Sequence, residues 1–399
     1  MTEYYHRLPL CGSSRAISLI LKQCTTVETL SVLSPHPNVR RRMNDEEMVA
    51  TFQKMGELPS MTRLELRYDP NYTSFYLPAA ALTAVLRAAK HLTYLMLGGV
   101  WMSGNEAEIK ALAEAFREHE FLNRIYFTNC RPTVGSAALW PILEALASNP
   151  NVQHVCLGYL SWLVNSPFHL CDKGSTWQSL RLIGTGIVRP DSFKRISQAL
   201  ETNHHLTEVL RISECPLPAG SGSALAKLLS TNKSLTDIYF EFMTPQELFP
   251  ICRALYAKNR SLKRVHLLVY QPGSPKHQAL LADVFARTLS RNDNIEHLTL
   301  HSPYSFITNL TLEYFLRLNR AGRRQLLQNS SSRSPASWVN ALIANRNDLH
   351  VIHYILSLNP SLCQLTPGSS CKTKRRRKRR SDVILGDGKG PKQKKTTTK

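Results

Sequence analysis

The stretches HLTYLMLGG (91–99), FLNRIYFTNC (121–130) and NVQHVCLGY (151–159) follow one another at nearly equal intervals. In each stretch an apolar residue is followed at +3 and +5 by two more, as in Leu92, Leu95 and Leu97. The segments between them, such as AEIKALAEAFREHE (107–120), have the apolar spacing that is typical of a helix. The pattern therefore predicts a strand–helix unit that is repeated along the chain.

The same strand pattern occurs ten times between residues 27 and 303. It starts at Val27, Met61, Leu92, Leu122, Val152, Trp177, Leu206, Leu235, Leu262 and Ile295. The unit at Leu206 is one residue out of phase, because its two later apolar residues are Leu210 and Ile212. The mean interval is about 30 residues, a period that indicates a solenoid of stacked units.

Units of this length, with Leu-x-x-Leu-x-Leu followed by a full helix, resemble the ribonuclease-inhibitor class of leucine-rich repeats. The resemblance covers residues 27–303. It implies an α/β solenoid in the form of a horseshoe, with a curved parallel sheet inside and helices outside. The Asn or Cys that this class carries three residues past the last leucine is present here at Cys130 and Cys215 and missing elsewhere. An incomplete asparagine ladder is therefore expected.

The segments outside the array are predicted to close or extend it. Residues 1–26 contain the apolar run AISLILK and are expected to form an N-terminal cap. In residues 304–365, the spacing of Leu316, Leu318 and Asn319 predicts a closing strand, and a helical cap begins at Pro335. This ending also resembles that of algal leucine-rich-repeat proteins to which no biochemical role is assigned. Residues 366–399 contain few apolar residues and are expected to be disordered.

Asparagine recurs at the joints between helices and strands. Because Asn tolerates the left-handed conformation that ends a helix, these positions are expected to be left-handed helix ends. They are Asn149, Asn203, Asn232, Asn259 and Asn292. Asn44 is expected to cap a helix whose first turn, 45–47, is acidic.

The net charge of +21 is concentrated at the C-terminal end. Residues 372–399 hold 13 lysines and arginines against two aspartates, which is about half of the excess. The sequence KTKRRRKRR predicts a nuclear address that an importin-type receptor would read; the alternatives are non-specific contact with nucleic acid and a solvated tail without a reader. The basic residues of this cluster are Lys372, Lys374, Arg375, Arg376, Arg377, Lys378, Arg379 and Arg380. The predicted location is nuclear, with a cytoplasmic location as the alternative.

A second set of candidate residues alternates with the buried leucines of the strands. Such residues point away from the helices, onto the concave face of the expected horseshoe. They are Arg63, Tyr94, Arg124, Tyr126, Arg181, Arg211, Tyr239, Arg264 and His266. Because Arg and Tyr are favoured at protein interfaces, this face is predicted to bind a partner, and its surplus of arginine indicates an acidic protein surface or phosphate. The alternative is an ordinary exposed sheet.

Other function classes find little support in the sequence. The 14 histidines include no His-Glu-x-x-His motif, and neither a metal site, a cofactor nor catalysis is expected. The nine cysteines show no Cys-x-x-Cys spacing, which favours reduced thiols in the cytosol or nucleus. The N-terminus does not resemble a signal peptide, and no run approaches the ~18 apolar residues of a membrane helix.

The sequence thus favours a non-catalytic protein-interaction scaffold in the nucleus. One alternative is a nucleic-acid-associated protein that uses the basic tail. A further alternative is a regulator of a small GTPase, because one family of such activators uses the same repeats. The acidic tail of that family is missing here.

Overall fold

The computed structural model describes residues 5–9, 26–33, 43–67, 75–133, 139–160, 176–184, 190–214, 217, 219–242, 244–270, 274–302, 305–306, 310–323 and 335–358. Within these residues the chain forms one sheet of twelve strands, one of three strands and eleven α-helices. The α/β class with a parallel sheet, as predicted, is confirmed.

The main sheet follows the order of the chain, and neighbouring strands are parallel except for the last pair. Its strands are β1 (Tyr5–Pro9), β2 (Thr29–Leu33), β3 (Arg63–Arg67), β5 (Tyr94–Gly98), β7 (Arg124–Thr128), β9 (His154–Gly158), β10 (Ser179–Ile183), β11 (Val209–Ser213), β12 (Asp237–Phe242), β13 (Arg264–Val269), β14 (His297–Ser302) and β15 (Ser305–Phe306). The small parallel sheet consists of β4 (Phe75–Pro78), β6 (Val100–Ser103) and β8 (Arg131–Pro132).

Among the described residues, eight helices connect successive strands of the main sheet and three follow its last strand, and most consecutive helices pack side by side. They are α1 (Asp45–Gly56), α2 (Ala79–Ala88), α3 (Glu106–Glu118), α4 (Trp140–Ser148), α5 (Pro190–Glu201), α6 (Ser221–Thr231), α7 (Leu248–Ala257), α8 (Pro275–Arg291), α9 (Leu310–Arg320), α10 (Pro335–Ala344) and α11 (Leu349–Leu358). A 3₁₀ turn at Pro245–Glu247 precedes α7. The predicted cap of α1 is present: the Asn44 side chain accepts the amide of Glu47, and the Glu47 carboxylate accepts the amide of Asn44.

One continuous core lies between the sheet and the helices, because alternate strand residues are apolar and point the same way. Leu95, Ile125 and Val155 are neighbours in the strand register, and all are buried. Helix residues close this layer: the rings of Phe116 and Phe127 lie 5.9 Å apart. The opposite side of the sheet, here called the polar face, carries the partly exposed side chains of the strands.

Ten strands, β2, β3, β5, β7 and β9 to β14, lie where the leucine pattern places them. Nine of them begin two residues after the first apolar residue of their unit, and β11 begins three residues after Leu206. The structure differs from the prediction in the segments before and after the repeat array. Residues 5–9, placed in a cap by the sequence, add the strand β1 to the sheet. The AISLILK segment lies outside the described residues.

The predicted closing strand at Leu316–Asn319 is wrong, because these residues belong to helix α9. Leu312 and Leu316 are four residues apart and both buried, as on the inner face of a helix. The main sheet ends instead in the short antiparallel strand β15. Beyond α9, Trp338, Val351 and Ile355 form a small second core with Leu318.

The joint asparagines are not left-handed. Asn149, Asn232 and Asn292 have φ values of −81°, −70° and −93°, respectively. Their side chains satisfy backbone groups instead: the Asn232 amide donates to the carbonyls of Leu200 and Asn203, at 3.0 and 2.9 Å. Its carbonyl accepts the amide of Leu235 at 2.9 Å.

These asparagines therefore form a buried ladder that joins successive units. Apart from Asn319, which lies in α9, each ladder residue comes three residues before the first apolar residue of the next unit, not after the last leucine, where the sequence resemblance placed it. Its members among the described residues are His119, Asn149, Asn203, Asn232, Asn259, Asn292 and Asn319.

Candidate functional site

Side chains on the polar face form two rows across the strands. The first row contains Arg63, Tyr94, Arg124, His154, Ser179, Val209, Asp237, Arg264 and His297. The second contains Glu65, Met96, Tyr126, Cys156, Arg181, Arg211, Tyr239, His266 and Thr299. All nine residues that the sequence placed on one face lie in these rows, and each is exposed or half-buried.

One end of the rows carries a stack of an arginine on two tyrosines. The Arg63 guanidinium lies 3.8 Å from the centre of the Tyr94 ring, and the rings of Tyr94 and Tyr126 lie 5.1 Å apart. The buried carboxylate of Glu65 binds Arg63 at 2.6 Å and Arg67 at 3.0 Å. The charge of Arg63 is therefore compensated within the fold.

A second stack lies further along the sheet. The Arg211 guanidinium lies 4.4 Å from the centre of the Tyr239 ring, which stacks on His266 at 6.0 Å and 26°. Arg211 also donates from Nε to the Ser213 hydroxyl at 3.2 Å. Arg264, next to this stack in the first row, forms an ion pair with Asp237.

A shallow depression with a volume of about 130 Å³ lies between the two stacks. It is lined by Arg124, Tyr126, His154, Val155, Cys156, Ser179, Arg181, Glu208 and Val209. Arg124 and Arg181 form no ion pair with any residue that the structure describes. The carboxylate of Glu208 faces the Nδ1 atom of His154 at 3.5 Å.

Burial and the neighbouring charges set the protonation states of His154 and Cys156, which line this depression. Burial is the main cause that lowers the pKa of His154; Glu208 opposes the shift, whereas Arg124 and Arg181 add to it. Burial raises the pKa of the Cys156 thiol to about 11, although Arg181 and Arg211 act in the opposite direction. At neutral pH the thiol is protonated and the imidazole uncharged, so the two guanidinium groups dominate the charge.

Glu208 is a lining residue that the sequence analysis missed. It directly precedes β11. The first two apolar residues of this unit, Leu206 and Leu210, are four residues apart, whereas those of the other units are three residues apart. That phase slip was the available signal, because an inserted residue changes which side chains face the sheet surface.

The structure describes no further candidate site, whether in the basic cluster or at a metal centre, within its described residues. The basic cluster at 372–380 lies outside the described residues. Over the part of the chain that the structure describes, no group of three His, Cys, Asp or Glu side chains is arranged to hold a metal ion. No helix among those residues is both long and apolar enough to cross a bilayer. The thiols of Cys130, Cys156 and Cys252 are buried and form no disulfide with a described residue.

The repeated strand–helix unit, the parallel register and the asparagine ladder define a fold of the leucine-rich-repeat type. No protein-family model matches the chain, and neither does a curated protein sequence.

Similar solved structures include a protein from Bacteroides fragilis, with a TM-score of 0.41 and 11% identity over 75% of this chain and 73% of that one. The leucine-rich repeat-containing protein LegL7 from Legionella pneumophila has a TM-score of 0.39 and 15% identity over 79% and 97%. TLR13 in its complex with ssRNA13 has a TM-score of 0.36 and 12% identity over 71% and 37%.

Proposed function

We propose that this chain is a non-catalytic interaction scaffold that binds an acidic protein surface on its polar face, the concave side of the horseshoe that the sequence resemblance implies. The observation that carries the proposal is that Arg124 and Arg181, at the centre of that face, form no ion pair with any residue that the structure describes. The neighbouring arginines Arg63 and Arg264 are already bound to carboxylates. An acidic partner would supply the missing counter-charges.

The two stacks beside the depression suit this role. Stacking holds Arg211 on Tyr239, and Tyr94 on Tyr126, before any partner arrives. Side chains ordered in advance lose less conformational entropy on binding, and aromatic residues and arginine provide most of the energy at interfaces. The centre of the face is therefore the expected region of strongest contact.

The basic C-terminal segment, residues 366–399, supports a proposal about where in the cell the protein is located. The basic cluster of residues 372–380 has the composition of a nuclear import signal, which supports a nuclear scaffold carried in by an importin-type receptor. The same composition supports one rival function, a nucleic-acid-associated protein held by phosphate contacts.

A capture experiment from native extract tests the proposal. The wild-type chain is compared with the triple variant R124E/R181E/R211E on the polar face. The matched control is R195E/R253E/R287E, which makes the same charge change at exposed positions on helices α5, α7 and α8. Circular dichroism of all three proteins checks that they are folded.

We expect discrete proteins to be captured by the wild type and the control and to be lost from the polar-face variant. Equal capture by all three chains would overturn the proposal. Capture that disappears with nuclease or at ~0.3 M salt, where phosphate contacts weaken steeply, would favour the nucleic-acid function.

A further inference from the structure

The depression between the stacks has a specific geometry. Arg124 lies beside His154 in the first row, and Arg181 lies beside Cys156 in the second. Strand β9 therefore separates the two arginines, which are two strand spacings apart across the sheet and two residues apart along it, so their backbones are about 12 Å apart. Long arginine side chains easily span half that distance. Both arginines line the same depression as His154.

The residues that line the depression carry more positive than negative charge. Cys156 contributes no thiolate, because burial keeps its proton in place. The single carboxylate among the lining residues is Glu208, whose side chain is 51% exposed and faces His154. Two guanidinium groups therefore face one solvated carboxylate.

Resting on the proposed function, we infer that the depression binds the phosphate group of a phosphorylated side chain, such as phosphoserine, on the partner protein. A phosphate monoester carries nearly two negative charges at neutral pH and three acceptor oxygens. It would compensate both arginines at once and accept hydrogen bonds from their planar forks.

A carboxylate fits the same place less well. Its two oxygens are satisfied by one arginine, which leaves the second guanidinium without a counter-charge. Tyr126, whose hydroxyl can also donate, lines the same depression. The donor set thus exceeds what an Asp or Glu side chain uses and suits a tetrahedral dianion.

A nucleic acid fits less well than a phosphoprotein. A nucleic-acid strand presents phosphates at regular intervals and needs positive charge along a track. On the polar face, Arg63 and Arg264 are bound to Glu65 and Asp237. Arg124 and Arg181, which form no ion pair with a described residue, both line one depression of about 130 Å³ and do not form a continuous track. Arg211 beside it is held on the Tyr239 ring.

The test uses the full chain and beads that carry a degenerate peptide library with a central phosphoserine or, as the control, serine. The variants are R124Q/R181Q, the charge-preserving R124K/R181K, and R195Q/R253Q, which removes two charges on the helical side. We expect at least about tenfold greater retention of the wild type on the phosphoserine beads. This preference should survive in R195Q/R253Q, weaken in R124K/R181K and vanish in R124Q/R181Q.

Equal retention on the two bead types would overturn the inference, and so would a preference that survives in R124Q/R181Q. A single-stranded RNA oligonucleotide is titrated into the same variants. If R124Q/R181Q loses RNA affinity while no chain prefers phosphoserine, the site binds nucleic acid and the inference is wrong.

Treating the extract with phosphatase before capture separates this inference from the proposed function. Capture that depends on the polar face and survives phosphatase keeps the scaffold and refutes the phosphate site. An extract that yields no capture through the polar face refutes the scaffold, whatever the bead assay shows.

Discussion

At the scale of single residues, His119 takes a place in the ladder that asparagine holds in the later units. Its Nε2 atom lies 3.0 Å from the carbonyl of Ala89, and its Nδ1 atom accepts the amide of Leu122 at 3.2 Å. An imidazole makes both bonds only when it is neutral and its proton is on Nε2. The histidine therefore reproduces the donor and acceptor of an asparagine amide, but only while uncharged.

This arrangement predicts a pH-dependent stability. Burial is the main cause that lowers the pKa of His119 from 6.5, so the unfolded chain binds this proton more readily than the folded chain. The contribution of His119 to the free energy of unfolding is therefore complete above pH 6.5 and declines as the pH falls through that value. Urea unfolding between pH 7.5 and 5 should show the decline in the wild type.

The variant His119→Asn provides the control, because asparagine keeps the ladder bonds and does not titrate. Its stability should fall less over the same range, with the remainder due to other histidines of lowered pKa, such as His154 and His266. If the variant and the wild type lose stability in parallel, the neutral imidazole is not the cause.

At the scale of elements, Arg323 joins the cap to the array. Its guanidinium donates to the carbonyls of Leu289 and Ser290, in the last turn of α8, and lies 5.2 Å from the centre of the Phe315 ring in α9. A positive charge at the C-terminal end of a helix also interacts favourably with its dipole. The residue thus closes the end of one helix and fixes the next.

Replacing Arg323 by Met should loosen the cap by roughly 1.5–3 kcal/mol, the usual value of hydrogen bonds from a charged group. Hydrogen exchange should become faster in α9 to α11 and stay unchanged in β5 to β9. The control is Arg320→Met, which removes an exposed arginine that pairs with Glu313 at 2.8 Å and should have little effect. Equal effects of the two changes would contradict this role for Arg323.

At the scale of the whole molecule, the distribution of charge predicts cellular location. Changing Arg375, Arg376, Arg377 and Lys378 to Gln should move a fluorescent fusion out of the nucleus, because the unbroken basic run is what an import receptor reads. The control changes Lys389, Lys392, Lys394 and Lys395 to Gln and removes the same charge from the same segment. An identical distribution of both variants would show that the tail is not a nuclear address.

The array was predictable because its signal repeats. Nine units with the same leucine spacing and one that differs by a residue place ten strands within three residues of their observed starts, since each unit supports the assignment of the next. At the ends this support is lost. The segment at Leu316–Asn319 matches a strand pattern in isolation, but Leu312 and Leu316 set a helical period that the packing of α9 on α8 selects.

The sequence alone determined the parallel α/β repeat and the side chains that share its polar face, because successive side chains of a strand point to opposite faces of the sheet. Only the tertiary structure decided which of the arginines on that face are compensated. The carboxylates that bind arginines lie at different places in the sheet: Glu65 is in the same strand as Arg63, and Asp237 faces Arg264 across a strand pair. Glu208, which precedes the out-of-phase strand β11, faces His154 instead. Charge pairing depends on distances of a few ångströms between side chains, and those distances are set by register and packing between units.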